Sequence, residues 1–344
     1  MVVTGFVTAT AVWLRVDQDA VAMFPEDAEL RQADTFFGSN FGGTHTLSVV
    51  LEGPDSRTML APQALEFLKG VQEELAKHKV VGKSVSLADF VRRMNLVMNR
   101  GEPEYDSIPD SQALIAQYIQ LYELSGDTGD FASVVDFDYG SGQVLVQLKS
   151  GSAATARKLK EAVTAYSAAN LPSGYKLDMA GTAVRYEVVN SFIVKGQLWS
   201  LGLSLVTVFI MVSLLFLRAA AFGPEGRKTP LGTILKAMST GGLTLLPILL
   251  AVAVNFGTMA MIDIPLEIGT AIVAACAVGI GIDYSVHFLH RYESARRKGD
   301  VPDDAIRHAA RSSGRPIIFN AAAVSAGFMI LMMSDFLSIR SLGW

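Results

Sequence analysis

Four long apolar stretches constrain the fold of this chain more than any other feature of its sequence. Each is close to the length, about 20 residues, with which an α-helix crosses roughly 30 Å of hydrocarbon. They predict transmembrane spans at residues 192–217, 237–261, 266–289 and 316–333. Because lipid cannot satisfy an irregular backbone, we expect residues 191–344 to form an α-helical polytopic membrane bundle.

A fifth apolar run, residues 1–14, is too short to cross a bilayer by itself. It lacks the basic start and the small-residue cleavage site of a signal peptide, so we interpret it as the remnant of a transmembrane helix. At the other end, the chain stops at Leu342-Gly343-Trp344 as if it were entering another helix. We therefore expect this sequence to be a fragment of a longer protein.

Residues 15–190 form a polar segment between the apolar runs. This segment holds 24 acidic against 16 basic residues, whereas the rest of the chain holds 9 against 13. Charge is therefore sorted along the chain, and nothing in it indicates a nucleic-acid partner. The single cysteine, Cys276, lies inside an apolar run, which leaves no basis for a disulfide or a thiol-ligated metal.

Lysine and arginine in the short loops predict how the spans are oriented. The loop at 218–236 carries four bases and one acid, and the loop at 290–315 carries seven bases and four acids. The opposite loops are almost free of bases, with only Arg340 between residues 334 and 341. By the positive-inside rule, the two basic loops face the cytoplasm. We therefore expect a multi-pass protein of the cytoplasmic (inner) membrane, with residues 15–190 on its periplasmic or extracellular side.

The pattern within residues 15–190 predicts an α+β domain of split βαβ (ferredoxin-like) type. We predict helices at 61–78, 87–99, 110–124 and 153–170, strands at 46–52 and 176–179, and a hairpin at 131–149. Ser86 is a predicted N-cap. There is no nucleophile–base pattern and no phosphate-binding loop, and His45 and His78 are too scattered for a metal site. We expect no enzyme activity, no metal and no cofactor.

One acidic residue, Asp283, lies inside the third long apolar stretch. An ionised carboxylate at the centre of a bilayer costs roughly 2.5 to 3.5 kcal/mol on insertion scales, so such a residue marks an ion or proton site by default. Arg291 follows eight residues later, about 12 Å along a helix. The sequence therefore predicts a proton site in the inner half of the membrane. The alternative is that Asp283 only fixes the helix register.

Steps of four residues place Ala275, Gly279, Asp283 and His287 on one helix face. Small residues such as these, with Gly281 beside them, allow another helix to pack closely. The proton occupancy of a carboxyl in such a place depends on its burial and its partners. We therefore predict that this stripe faces a packed helix rather than lipid.

Other polar residues of the spans each allow two interpretations. His287 either passes protons to the cytoplasm or is a solvated interfacial histidine. Asn320 shares a helix face with Gly327, and it either faces Asp283 or serves plain helix packing. Glu267 either guards an entry path or is a loop-side acid near a helix start.

Several short motifs occur in an order that resembles the resistance-nodulation-division (RND) superfamily, and in particular its MMPL-like branch of hydrophobe and amphiphile efflux proteins. Sterol-sensing domains are related to it and carry a similar Gly-x-Asp-Tyr segment. The motifs are Met23-Phe24-Pro25, Phe41-Gly42-Gly43, Val85-Ser86-Leu87-Ala88-Asp89, Gly181-Thr182 and Gly279-Ile280-Gly281-Ile282-Asp283-Tyr284-Ser285. The resemblance covers essentially the whole chain.

The resemblance implies a secondary active transporter that exports hydrophobic or amphiphilic molecules, lipids among them, at the expense of the proton-motive force. Asp283 matches the acidic position that exchanges protons in the superfamily, and Tyr284 matches the neighbour that hydrogen-bonds the carboxylate. Whole members carry two such repeats, so the expected partners are protons, a lipidic substrate, membrane lipids and a missing second repeat or a homo-oligomer. The alternative is a sterol- or lipid-sensing membrane module that does not transport.

Overall fold

A computed structural model describes residues 10, 13–17, 19–125, 129–221 and 230–343. The chain divides into two compact units. We call Gln18–Val189 the α+β unit, and the described residues before 18 together with those from 190 onwards the helical unit.

The α+β unit is built on one four-stranded antiparallel sheet, whose strand order is β2-β3-β1-β4. Both β1 and β2 are antiparallel to β3, so they run parallel to each other with β3 between them. The elements in chain order are α1 Glu29–Asn40, β1 His45–Glu52, α2 Pro62–Ala76, β2 Val81–Val85, α3 Leu87–Met98, α4 Gln112–Ser125, β3 Ser141–Leu148, α5 Ala153–Asn170 and β4 Lys176–Ala180.

Alternating side chains in the two central strands build the core of this unit. Every second residue of β1 and β3 is buried, which is the pattern of a sheet with one face covered. Helices α2, α3, α4 and α5 supply the apolar residues that complete the same core. The fully buried strand residues are Leu47, Val49, Leu51, Val144, Val146 and Leu148.

The start of α3 confirms the predicted N-cap. Ser86 forms a capping box with Asp89, in which each side chain accepts a hydrogen bond from the other residue's backbone N–H. Gln72 of α2 joins this network, because its side-chain amide binds both the Ser86 hydroxyl at 2.7 Å and the Asp89 carboxylate at 2.7 Å. The cap therefore fixes α3 against α2 as well as closing its first turn.

The predicted hairpin at 131–149 is wrong in its first arm. Only β3 is a strand, and residues 131–135 form turns that meet β3 through a single bridge between Val135 and Gly142. Asp136 explains the change, because its carboxylate accepts hydrogen bonds from the backbone N–H groups of Gly140 and Ser141 at 2.8 and 3.0 Å. This side chain stabilises a turn where the sequence pattern indicated a strand.

The helical unit contains α6 Thr182–Ala221 from residue 190 onwards, α7 Pro230–Met261, α8 Ile268–Arg297, α9 Pro302–Leu331 and the short α10 Leu337–Leu342. Within the described residues, four segments are long and apolar enough to cross a membrane by length and composition. They are Thr182–Leu214, Ala237–Met261, Gly269–Arg297 and Pro302–Leu331. Each overlaps one of the four predicted spans.

Three predicted features of the membrane region differ from the structure or lie partly outside the described residues. The predicted loop at 290–315 is helical except at residues 298–301, because α8 and α9 extend into it and Ala305 and Ala309 are buried there. The predicted helix remnant at 1–14 lies outside the described residues except for positions 10, 13 and 14. The predicted loop at 218–236 is described only up to 221 and from 230 onwards.

Gly43 and Gly101 form a matched pair for testing the α+β unit. Both have positive φ, +119° and +77°, but an ideal Cβ on Gly43 would lie 1.9 Å from the Leu148 carbonyl oxygen, whereas nothing lies within 4 Å of one on Gly101. We expect Gly101→Ala to lower the free energy of unfolding by about 1 to 2 kcal/mol, because of backbone strain alone. Gly43→Ala should cost more, since β1 and β3 must also separate.

Thermal unfolding of the purified protein, followed by circular dichroism, measures this difference. Equal losses of stability in the two variants would contradict the close approach at Gly43.

Candidate functional site

The face of α8 that meets α6 and α7 is apolar. Val278 and Ile282 pack with Leu245 and Ile248 of α7, and Ile282 also packs with Val212 of α6. Gly281 lies at the α7 contact, because an ideal Cβ there would be 3.4 Å from the Ile248 side chain. This packing fixes the rotation of α8 and so decides which way its other residues point.

The stripe of Ala275, Gly279, Asp283 and His287 lies on an exposed face of α8. An ideal Cβ on Gly279 would have no atom within 4 Å. Within the described part of the chain, no hydrogen bond or ion pair joins the Asp283 side chain to another residue. The helix that we expected to pack on this stripe is therefore not among those described, because α6 and α7 occupy the apolar face instead.

The last span does not bring its polar residue to Asp283. Asn320 is exposed, and Gly327 on the same helix is exposed with open space around an ideal Cβ. Over the described residues, no hydrogen bond connects Asn320 with Asp283. Gly281 is thus the one predicted packing glycine that meets a neighbouring helix, whereas Gly279 and Gly327 leave room for a partner.

Tyr284 points to a different environment from its neighbour Asp283. Its hydroxyl is buried and has no hydrogen-bond partner among the described residues, so the predicted bond to the Asp283 carboxylate is not formed there. The residue lines a cavity of about 300 Å³ between α7, α8 and α9. The other lining residues are Leu243, Thr244, Pro247, Ser285, Phe288, Leu289 and Ile317. The Tyr284 hydroxyl in this mostly apolar space is a donor available to a ligand.

Glu267 is a buried residue at the start of a helix. Glu267 is only 8% exposed and caps the start of α8, and its carboxylate accepts a hydrogen bond of 2.6 Å from the Ser338 hydroxyl. Burial raises the pKa of Glu267, and the hydrogen bond from Ser338 lowers it by less. One sequence signal pointed to this site: Thr270 three residues later completes a capping box.

Long apolar helices, a small antiparallel sheet domain and an acidic residue within a span define a polytopic membrane protein with an α+β domain outside its spans. A sequence profile of the MMPL family matches residues 22–344. The chain therefore belongs to the MMPL family, which confirms the resemblance drawn from its motifs.

Two relatives show how far the similarity extends. Membrane protein MJ1562 of Methanocaldococcus jannaschii is 23% identical over 351 residues, an alignment that covers 100% of this chain and 82% of that protein. The hopanoid transporter HpnN of Rhodopseudomonas palustris is 33% identical over 70 residues, which are 20% of this chain and 8% of the transporter. The first likeness spans the whole chain, and the second is local.

The buried hydroxyl of Tyr284 gives a prediction for the stability of a variant that lacks it. A buried hydroxyl without a partner costs about 1 to 3 kcal/mol, so Tyr284→Phe should leave stability unchanged or raise it. Tyr118→Phe is the contrast, because the Tyr118 hydroxyl is buried and donates to the Asn95 side chain at 3.2 Å. Loss of this hydrogen bond should lower the free energy of unfolding by about 1 kcal/mol.

The measurement is thermal unfolding of both variants in lipid nanodiscs. A large loss of stability in Tyr284→Phe would mean that the hydroxyl has a partner after all.

Proposed function

We propose that this protein is a secondary active transporter that exports hydrophobic or amphiphilic molecules, lipids among them, in exchange for protons. Asp283 is the proposed proton-exchanging group, with Tyr284, His287 and Asn320 as further members of the relay. The proposal rests on the MMPL family membership and on one observation, the carboxyl group at Asp283 on the free face of a membrane helix.

The exposed position of Asp283 argues for a partner in the membrane. An ionised carboxylate facing lipid is costly, so a second polar or small-residue surface is needed to cover it. Ala275, Gly279 and Gly327 leave the space that such a surface requires. We infer that a second repeat of a longer protein, or a second copy of this chain, packs there.

Lipidic substrates are the proposed cargo. A relative named as a hopanoid transporter shares a segment of 70 residues with this chain, and hopanoids are hydrophobic. The α+β unit is the proposed porter domain. Its sheet order, with β3 between the parallel strands β1 and β2, supports the ferredoxin-like type.

The proposed location is the cytoplasmic membrane, with the α+β unit outside the cytoplasm. The N-terminal half of α9 supports this orientation, because it buries Ala305 and Ala309 and exposes Arg307, Arg311 and Arg315. These arginines occur every four residues, so they share one helix face. Such a face favours the anionic lipid headgroups of the cytoplasmic leaflet.

A lipid-sensing module that does not transport is the second candidate. The cavity beside Tyr284 favours it, since a mostly apolar space with a buried hydroxyl that has no partner among the described residues suits a lipid with a small polar group. The two functions differ in their dependence on protons. A sensor should tolerate the neutral isostere of Asp283, and a proton-coupled exporter should not.

Asp283→Asn tests the proposed coupling directly. We expect gradient-driven transport of a fluorescent lipid analogue to fall to the background of vesicles without the protein, because asparagine cannot exchange a proton. The measurement uses inverted vesicles with an imposed pH gradient. Asp263→Asn is the control, since Asp263 is exposed and pairs with Arg15 at 3.3 Å. Unchanged transport in Asp283→Asn, at normal membrane insertion, would remove the coupling role and favour the lipid sensor.

Gly279→Leu tests whether a partner covers the stripe. A leucine fits the isolated unit, because nothing lies within 4 Å of an ideal Cβ there, but it would keep a second surface away. We expect the assembled form to dissociate while the chain itself stays folded. Light scattering of the detergent-solubilised protein measures the mass. Gly242→Leu serves as the control, because Gly242 also has open space but lies on α7.

A further inference from the structure

We propose that Glu267 is a second proton-binding site of the helical unit, and that its protonation keeps α10 in contact with the start of α8. We call this contact, between Glu267 of the α8 N-cap and Ser338 of α10, the clasp. The proposal rests on the proposed proton-coupled function, because α8 is the helix that also carries Asp283. The proposed site adds a titratable carboxyl group at the N-terminal end of that helix, on the outer side of the membrane in the proposed orientation.

The Glu267 carboxyl is enclosed between two elements that are distant in sequence. It receives a hydrogen bond of 2.6 Å from Ser338 of α10, 71 residues away, and another from the backbone N–H of Thr270 in α8. Both Ser338 and Thr270 are themselves buried. The carboxyl group is therefore the polar contact through which α10 meets the start of α8.

The clasp depends on close approach of the two elements. An ideal Cβ on Gly269 would lie 3.2 Å from the Ser338 carbonyl oxygen, so the first turn of α8 touches the backbone of α10. Helix α10 has six residues, fewer than a helix needs to be stable by itself. Its position is thus set by such tertiary contacts, and loss of one of them changes its stability.

No cation compensates this carboxylate within the described residues. The nearest segments carry Arg15, which pairs with Asp263 at 3.3 Å, and Asp17 in the same N-terminal stretch. The charged groups on the other elements packed around this end are Lys195 of α6, Arg340 of α10 and Asp335 in the turn before it, all exposed. None of them forms an ion pair with Glu267. Burial without a nearby cation disfavours the ionised form of a carboxyl group, and the hydrogen bonds from Ser338 and Thr270 offset only part of this effect.

Two effects on the pKa of Glu267 oppose each other, and the larger effect decides whether acid or alkaline pH favours the buried carboxyl group. Burial raises the pKa of Glu267, and the hydrogen bond from Ser338 lowers it, with burial the larger effect. A carboxyl with a raised pKa is held in its buried place as the neutral acid. When the pH rises through that pKa, the ionised form gains free energy by reaching water. Acid pH therefore closes the clasp, and alkaline pH opens it.

Hydrogen–deuterium exchange of the whole protein in nanodiscs measures how far the clasp protects the backbone amides of α10, and this readout does not depend on transport. After correction for the intrinsic pH dependence of exchange, we expect residues 334–343 to lose protection as the pH rises. Each pH unit above the transition should change the opening equilibrium by about tenfold. Glu267→Gln cannot ionise and should stay protected at every pH. Asp263→Asn should follow the wild type, because it removes an exposed acid at the same end of α8.

Ser338→Ala provides a second variant that keeps Glu267 ionisable. Loss of this hydrogen bond removes an effect that lowers the pKa, so the transition should move to higher pH. A merely structural contact would instead lose protection equally at all pH values. Identical profiles of the wild type and Glu267→Gln would overturn the proposal.

The same experiment separates this proposal from the proposed function. Asp283→Asn should keep the wild-type pH profile at residues 334–343. If that variant also transports normally, the proton-coupled function fails while the Glu267 site stands. If its transport is lost but the wild-type profile does not depend on pH, the function stands and the Glu267 site fails.

Discussion

The cost of a carboxyl group in hydrocarbon is the constraint on which the organisation of the helical unit depends. Helices α6 and α7 cover the apolar face of α8 through Val278 and Ile282, which leaves Asp283 on the opposite, exposed face. A soluble protein would bury the apolar face and give the polar one to water. In a bilayer that polar face has no solvent, so only a surface of matching polarity can cover it. The helical unit thus packs the apolar face of α8 and leaves its carboxyl group without a partner among the described residues.

The two acids of α8 lie in opposite situations. Glu267 is enclosed by residues of its own unit, with Ser338 and Thr270 as partners. Asp283 has space beside it and no partner among the described residues. One carboxyl can therefore respond to protons within a single chain, whereas the other needs a second surface before its environment is defined. A helix that links two such groups offers two separate points at which proton binding can change its packing.

Sequence patterns predicted those elements whose formation depends on local periodicity. Apolar length was sufficient for the four spans, and the capping residues Ser86 and Asp89 were sufficient for the start of α3. Helix α1 was not predicted, and only Gly38 in it is buried, so the core contributes little to its formation. Strand β2 was missed because Gly82 and Lys83 interrupt its pattern. The burial of Glu267 depends on Ser338, 71 residues away, and no local pattern encodes such a contact.

The edges of the sheet have a consequence for how the protein is made. Edge strand β2 has an irregular register between Val81 and Lys83, and edge strand β4 exposes Lys176 and Asp178. Irregular and charged edges prevent a sheet from adding strands of other chains. The α+β unit precedes most of the spans in the sequence, so it emerges from the ribosome before they do. Protected edges let it fold early without aggregating while the membrane segments are still being inserted.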